Sequence, residues 1–394
     1  ERATGTTFQW NDMTFNANYG GITRNVNLYI TGPLYQTLPL YNGLGTTGTY
    51  IYARDFDIRG RRATVCAESQ VKNETDKPQA VTLEVEVCDA DGRVVKPFRG
   101  KRQTLQPGET NILSASSRLS GLHFWSVGYG YLYTVNTSLL VNGSIVDKVS
   151  TRTGFRKTQF GQGKIWLNDR VLMVKGYAQR STNEWPYVGT DVPAWMSDYS
   201  NALMVADNAN TVRWMHITPS RQDVESCDHV GLIQALPAGD HEGDVGGRQW
   251  EQRVEVMRDA IIYNRNNPSV LFYEGGNESI SRDHMKQLIA LRNEFDPHGG
   301  RAMGSREMLD IDEAEYGGEM LYINKSKKHP MWAMEYCRDE GYRLYWDNLS
   351  YPWHQHGAGP YLRKQPAPDY NQNQDRLTVE QVRRWYDFWR VRPG

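Results

Sequence analysis

The feature that most constrains this chain is a change of rhythm near residue 154. Before it, apolar residues alternate with period two; after it, short apolar runs alternate with stretches of helical period. Ile22, Val26, Leu28 and Ile30 share one parity, and so do Val81, Leu83, Val85 and Val87, which is the pattern of strands buried on one face. Asp91-Gly92 and Asn142-Gly143 interrupt such runs and predict tight hairpins. Tyr129, Tyr131 and Tyr133 fall on one face of a further strand. Strands at this spacing predict an immunoglobulin-like β-sandwich over 46–152. Residues 1–45 are too few for a domain and read as the end of another β-domain.

Beyond Gly154 seven strands are expected, at 171–175, 211–215, 231–236, 269–273, 301–304, 319–323 and 331–334. Helices are expected at 250–264, where Trp250, Val254, Met257 and Ile261 recur on one face, and at 283–295. A last helix, 378–390, opens with the capping box Thr378 to Gln381 and the staple pair Leu377 and Val382. Repeated βα units mean a parallel sheet, either doubly wound or a barrel. Seven strands are one short of a closed (β/α)8 TIM-type barrel, so a barrel over 153–394 is expected to lack strand eight. The expected class is therefore a multidomain β plus α/β protein, with an incomplete barrel at its C-terminal end.

Composition narrows the partners. Lys plus Arg is 45 and Asp plus Glu is 46, a formal charge of −1, which argues against nucleic acid or an anionic membrane held by bulk charge. No apolar run approaches the roughly 18 residues of a spanning helix, so membrane insertion is not expected. Cys66, Cys88, Cys227 and Cys337 lack zinc-site spacing, and His354 and His356 have no third ligand nearby; neither metal nor cofactor is expected. The chain shows no signal peptide and does not begin with Met, so it reads as the remainder of a longer one. A periplasmic or secreted location is favoured over the cytoplasm, and a homo-oligomer is compatible with the chain.

In a barrel, chemistry collects at the C-terminal ends of the strands. Those positions hold Arg213 and His216, then Asp240, His241 and Glu242, then Glu274, Asn277 and Glu278, and finally Glu335 and Tyr336. In 266-NNPSVLFYEGGNES-279 an apolar strand runs into Gly275-Gly276, expected to turn tightly and present Glu278 to a cavity. Glu335 ends 330-PMWAMEY-336. Two carboxylates facing one another across a barrel mouth are the inventory of glycoside hydrolysis, one to protonate the leaving oxygen and one to attack the anomeric carbon. Retention of configuration needs them about 5–5.5 Å apart.

Several motifs, in this order, resemble glycoside hydrolase family 2, the clan of β-galactosidases, β-glucuronidases and β-mannosidases. They are 18-NYGGITRNVNLYIT-31, 152-RTGFRKTQF-160, 210-NTVRWMHITPS-220, 228-DHVGL-232, NNPSVLFYEGGNES and 335-EYCRDEGYRLYWDN-348. The resemblance covers nearly the whole chain and implies the end of a sugar-binding jelly roll, an immunoglobulin-like domain and a catalytic barrel. It implies Glu278 as acid/base, Asn277 as a ligand of the sugar 2-hydroxyl, Glu335 as nucleophile and Tyr336 as its neighbour. It further implies sugar contacts for His216 and His241 and an arginine supporting the nucleophile at Arg213. The chain departs from the pattern at 175-KGYAQR-180, in the loop 237-PAGDHEGDVGG-247 around His241, and at Arg338, where some members carry His. The Asn-x-Lys clamp of β-glucuronidases has no counterpart after Glu335.

The function expected from sequence is a retaining exo-β-glycosidase, β-galactosidase-like, with a carbohydrate substrate. A β-glucuronidase or β-mannosidase of the same family, or a catalytically inert carbohydrate-binding fragment, is the alternative. A structural adhesin would leave Glu278 and Glu335 without a purpose.

Overall fold

The computed structural model describes residues 22, 25–41, 43–179, 192–238, 243–309, 311–319 and 328–334, together with helical residues 376, 379, 380, 383 and 387. Nine described strands form the first half: β1 (Leu34–Gln36), β2 (Thr49–Asp57), β3 (Arg62–Asn73), β4 (Gln79–Cys88), β5 (Val94–Arg99), β6 (Gln103–Leu105), β7 (Thr110–Ser120), β8 (Tyr133–Val141) and β9 (Ser144–Thr153). β1, β2 and β7 pair with β3 in one antiparallel sheet, while β5, β4, β8 and β9 run side by side in the other, with β6 on β4. Alternate residues of both sheets, among them Val65, Val71, Leu83, Val85, Leu113 and Val135, meet in one buried core. Both predicted hairpins form. Asn142 and Gly143 take φ of 51° and 85°, the two positive values that a type I′ turn between β8 and β9 requires.

The second half begins with a small antiparallel sheet, β10 (Thr158–Gly161), β11 (Lys164–Leu167) and β12 (Arg170–Leu172). Seven parallel strands follow in strict chain order, β13 (Gly176–Gln179), β14 (Thr211–Trp214), β15 (Ile233–Pro237), β16 (Val270–Glu274), β17 (Ala302–Arg306), β18 (Tyr316–Glu319) and β19 (Met331–Ala333). A doubly wound sheet reverses its strand order at a switch point; this one never does. It is an open barrel of the TIM type among the described residues. Helices α1 (Ala194–Ala206), α2 (Arg221–Val230), α3 (Gly247–Asn264) and α4 (Arg282–Phe295) connect the first strands. Trp250, Met257 and Ile261 of α3 pack with Met285 and Leu288 of α4 against Leu236, Tyr273 and Met303 of the sheet. On the sheet's other face Ile233, Ala235, Phe272, Tyr316 and Trp332 cluster with Trp125 and the β11 residues Ile165 and Leu167.

The structure corrects several readings. The run 171–175 does not supply the first barrel strand; its apolar residues belong to β12 and the link after it, and the strand is the less apolar Gly176–Gln179. Strand six lies at Tyr316–Glu319, upstream of the predicted 319–323, whose remaining residues fall outside the described set. Ile22, Val26, Leu28 and Ile30 are 78–87% exposed and in no strand, because no sheet lies beside them among the described residues. Tyr129 and Tyr131 precede β8 and stack ring on ring in the loop leading to it. Helix α1 escaped the periodicity because it faces polar groups inward. Ser197 donates to Asp223 at 2.7 Å and Asn201 to Ser226 at 3.0 Å, while Trp195, Tyr199 and Leu203 are exposed. The predicted helix 378–390 lies largely outside the described residues.

The two halves meet beneath β16. Asn266 donates to Thr49 O at 2.8 Å and accepts from Ile51 N at 2.8 Å, and its own carbonyl accepts from Thr153 Oγ1 at 2.7 Å. Arg156 donates to Pro268 O and Val270 O, both at 2.5 Å, and Arg301 adds a second bond to Val270 O at 2.9 Å. Burial, and then the neighbouring Arg301 cation, lower the proton affinity of the Arg156 guanidinium. Asp228 closes the joint from α2. Its carboxylate accepts from Ser269 N at 3.0 Å, Ser269 Oγ at 2.5 Å and Asn267 Nδ2 at 2.6 Å, and its carbonyl accepts from Trp125 Nε1 at 2.9 Å. Gly231 then ends α2 at φ 73°, where Leu232 N bonds Cys227 O and any Cβ would strike the backbone of Gly128 and Tyr129.

Burial pushes the Asp228 carboxyl up to about 6 despite those donors. The native state therefore holds this proton more tightly than the unfolded chain, in which the value is near 3.8. The sign follows: this group's contribution to stability falls as pH rises from about 4 to about 6, by about 3 kcal/mol in full. Asp228→Asn should lack that slope. Melting temperatures of wild type and variant across pH 4–7 check it, and parallel curves would show that Asp228 carries no such linkage.

Candidate active site

Arg213 occupies the third position of β14 and reaches past β15 to the last residue of β16, as side chains from alternate strands do inside a barrel. Its Nε donates to Glu274 Oε2 at 2.8 Å, and its Nη2 donates to the other carboxylate oxygen. The pair is bidentate, and each side chain is 1% exposed. The same Nη2 donates to Asn277 Oδ1 at 2.8 Å, so one guanidinium fixes both the end of β16 and the loop that follows it. Nearby Tyr316 has its hydroxyl pKa raised well above the ordinary range by burial and by the Glu274 charge; it donates to Tyr273 O at 3.1 Å.

The loop itself is crowded. Gly275 and Gly276 do not take positive φ, contrary to the tight turn expected of them; Ser279, at φ 73°, makes the left-handed turn. The glycines are needed for room. A Cβ on Gly275 would lie 2.9 Å from Leu288 Cδ1, and one on Gly276 would lie 2.8 Å from Ile280 Cγ2. Gly275 N bonds Gly304 O at 2.9 Å, and Ser305 Oγ donates to Gly276 O. From the other side, Asp244 after β15 accepts from Ser281 N at 2.9 Å and from His284 Nδ1 at 2.7 Å, with Trp250 stacked on that imidazole. Glu278 emerges from this frame with a side chain 40% exposed, and Arg306 at the end of β17 donates Nη2 to its Oε1 at 3.1 Å.

His216 is buried two residues past the end of β14, following a cis peptide bond, and Thr218 ties its loop to β15 by donating to Pro237 O at 2.7 Å. The structure thus gathers Arg213, Asn277 and Glu278 at one end of the barrel, with His216 in the loop beyond β14. His241, Glu335 and Tyr336 lie outside the described residues, as do Asp240, Glu242, Arg338 and the loop around His354. β19 ends at Ala333, two residues before Glu335 in the chain. Two site residues carried no role in the sequence reading. Glu274 was visible as a strand end, but its pairing with Arg213 two strands away was not; Arg306 lay beyond the predicted end of its strand.

Two family models match the chain, Glycosyl hydrolases family 2 over residues 49–156 and its TIM barrel domain over residues 159–303. The chain belongs to glycoside hydrolase family 2. A beta-glucuronidase from Formosa agariphila is 29% identical over 388 residues, spanning 96% of this family 2 chain. A beta-galactosidase from Bacteroides ovatus is 25% identical over 271 residues, 66% of this chain. The chain spans 38% of the first relative's length and 30% of the second's. Among solved structures, a beta-glucuronidase from glycoside hydrolase family 2 superposes with a TM-score of 0.77 at 27% identity, over 89% of this chain and 37% of that one.

A buried ion pair is strongly destabilised when one partner is removed, because the other charge is left uncompensated. Arg213→Met and Glu274→Gln should therefore each cost about 3–5 kcal/mol. The double variant should cost much less than the sum, as measured by denaturant unfolding of all four proteins. Additive losses would mean that the two groups are not coupled.

Proposed function

We propose that the protein is a retaining exo-β-glycosidase that removes terminal β-linked sugars, with Glu278 as acid/base and Glu335 as nucleophile. The observation that supports it best is the Asn277-Glu278 pair, held at the end of β16 by Arg213 and Arg306 in a family 2 barrel. In the first step a Glu335 oxygen attacks the anomeric carbon. The bond to the leaving oxygen breaks as Glu278 gives up its proton. In the second step Glu278 takes a proton from water, and the resulting hydroxide displaces Glu335 from the same face that the leaving group departed. Two inversions retain the configuration. Asn277, His216, His241 and Tyr336 contact the sugar in this reading.

For the sugar, we place a β-glucuronide ahead of a β-galactoside, with its carboxylate held by residues other than the Asn-x-Lys clamp that the stretch after Glu335 does not supply. The Formosa beta-glucuronidase aligns with nearly the whole chain, whereas the Bacteroides beta-galactosidase aligns with two thirds of it. The β-galactosidase expectation rests on the resemblance of 335-EYCRDEGYRLYWDN-348 to the nucleophile region of β-galactosidase-like members, and those residues lie outside the described set. A β-galactoside stays as the second reading.

Aryl β-glycosides of both sugars, given to the full-length protein, test the assignment. The product's first-formed anomer, followed by NMR, should be β. Glu278→Ala should lose about 10²–10⁴-fold on substrates with poor leaving groups and regain turnover with azide as a β-glycosyl azide. Glu335→Ala should lose activity on every substrate. An α product would falsify the double displacement, and full activity in both variants would place the site elsewhere.

A further inference from the structure

We propose that Arg306 is a positioning residue that decides which oxygen of Glu278 carries the catalytic proton; this rests on Glu278 being the acid/base. The register of β17 on β16 pairs Gly304 with Glu274, so Arg306 stands two residues past the level at which β16 ends, beside the loop that carries Glu278. Its side chain is 1% exposed and that of Glu278 is 40% exposed. The cation is the fixed member of the pair and the carboxyl the adjustable one. Among the described residues, Arg306 is the one hydrogen-bond partner of the Glu278 carboxylate. Its neighbour Ser305 holds the same loop by the Gly276 carbonyl, so consecutive residues of β17 grip the loop's backbone and its acid.

A guanidinium has only donors and no acceptor. The carbonyl oxygen of a carboxylic acid is a better acceptor than its hydroxyl oxygen, so an acid held by Arg306 through Oε1 places its proton on Oε2. The contact therefore aims the acid, leaving Oε1 anchored and Oε2 for the glycosidic oxygen. It also favours charge where charge develops. Glu278 passes from neutral acid to carboxylate as the leaving oxygen takes its proton, and a prepositioned donor 3.1 Å away stabilises that change without reorganisation. In the second step the same contact holds Oε1 while Oε2 receives the proton of water.

The test uses full-length Arg306→Met and Arg306→Lys, with wild type and Glu278→Ala as references. The substrates are two glycosides of one sugar, a 2,4-dinitrophenyl glycoside that needs no acid and an alkyl glycoside that does. The readout is the ratio of their kcat/KM values within each preparation, which does not depend on the fraction folded. Arg306→Met should lower kcat/KM for the alkyl glycoside about 100-fold and for the dinitrophenyl glycoside less than about threefold, with the loss in kcat. Arg306→Lys should fall between, and it carries the test by itself if the methionine variant does not fold. Equal losses on both substrates would overturn the proposal and make Arg306 structural. If Glu278→Ala itself showed no dependence on the leaving group, the acid/base assignment would have failed first.

Discussion

Strand β16 is held at both ends by buried guanidinium groups, and the geometry of the site depends on that clamp. Arg156 and Arg301 bond the carbonyls at its lower end, and Arg213 bonds the carboxylate of its last residue. A strand fixed at one end could still slide or splay by a fraction of an ångström, enough to spoil a proton transfer. Fixed at both, it delivers Asn277 and Glu278 into a frame set by β14 and β17. Arginine suits both tasks because its planar fork can satisfy two acceptors at once, which a lysine ammonium matches poorly.

Such a clamp is costly to build. Removing charges from water is unfavourable unless partners are in place, and here carbonyls do much of that work at the lower end. Asp296 takes Arg301, Tyr273 and Tyr50 together, so the sandwich contributes a hydroxyl to the barrel's charge balance. The motif NNPSVLFYEGGNES thereby divides into two physical tasks. Its first four residues make the joint with the sandwich and with Asp228; its last residues make the site. The similarity of 152-RTGFRKTQF-160 and 228-DHVGL-232 to family patterns has the same explanation, since Arg156, Asp228 and Gly231 all belong to that joint.

What the sequence disclosed was whatever has a local cause. Asn142-Gly143 specifies its turn by backbone preference, and α3 and α4 announce themselves by period. The barrel's place in the chain and the strand-end positions of Arg213, Asn277 and Glu278 were legible for the same reason. The errors share a cause too. β13 has a strand on one side only among the described residues, so it needs few apolar residues and gives a weaker signal than the more apolar 171–175. α1 buries serine and asparagine because Asp223, Ser226 and Tyr177 receive them, and no periodicity rule sees those partners. Gly275-Gly276 looks like a turn in the sequence, but what these glycines supply is space. The Arg213–Glu274 pair joins residues 61 apart in the chain, and nothing local marks it.

The sandwich carries none of the residues assigned to chemistry, yet it is not a detachable accessory. Its loop from Trp125 to Gly130 lies against the end of α2, where a Cβ on Gly130 would come within 2.0 Å of His229 O. Tyr50 reaches across to Asp296 of the barrel half, just as Asn266 and Arg265 reach out to the carbonyls of Thr49 and Thr47. A cut at residue 153, where the hydrophobic rhythm changes, would therefore sever a floor from its walls. A chimera that takes its sandwich from one relative and its barrel from another would keep this joint only if residues 47–51, 125–130 and 153–156 were exchanged together with their partners at 228–231, 265–270 and 296–301.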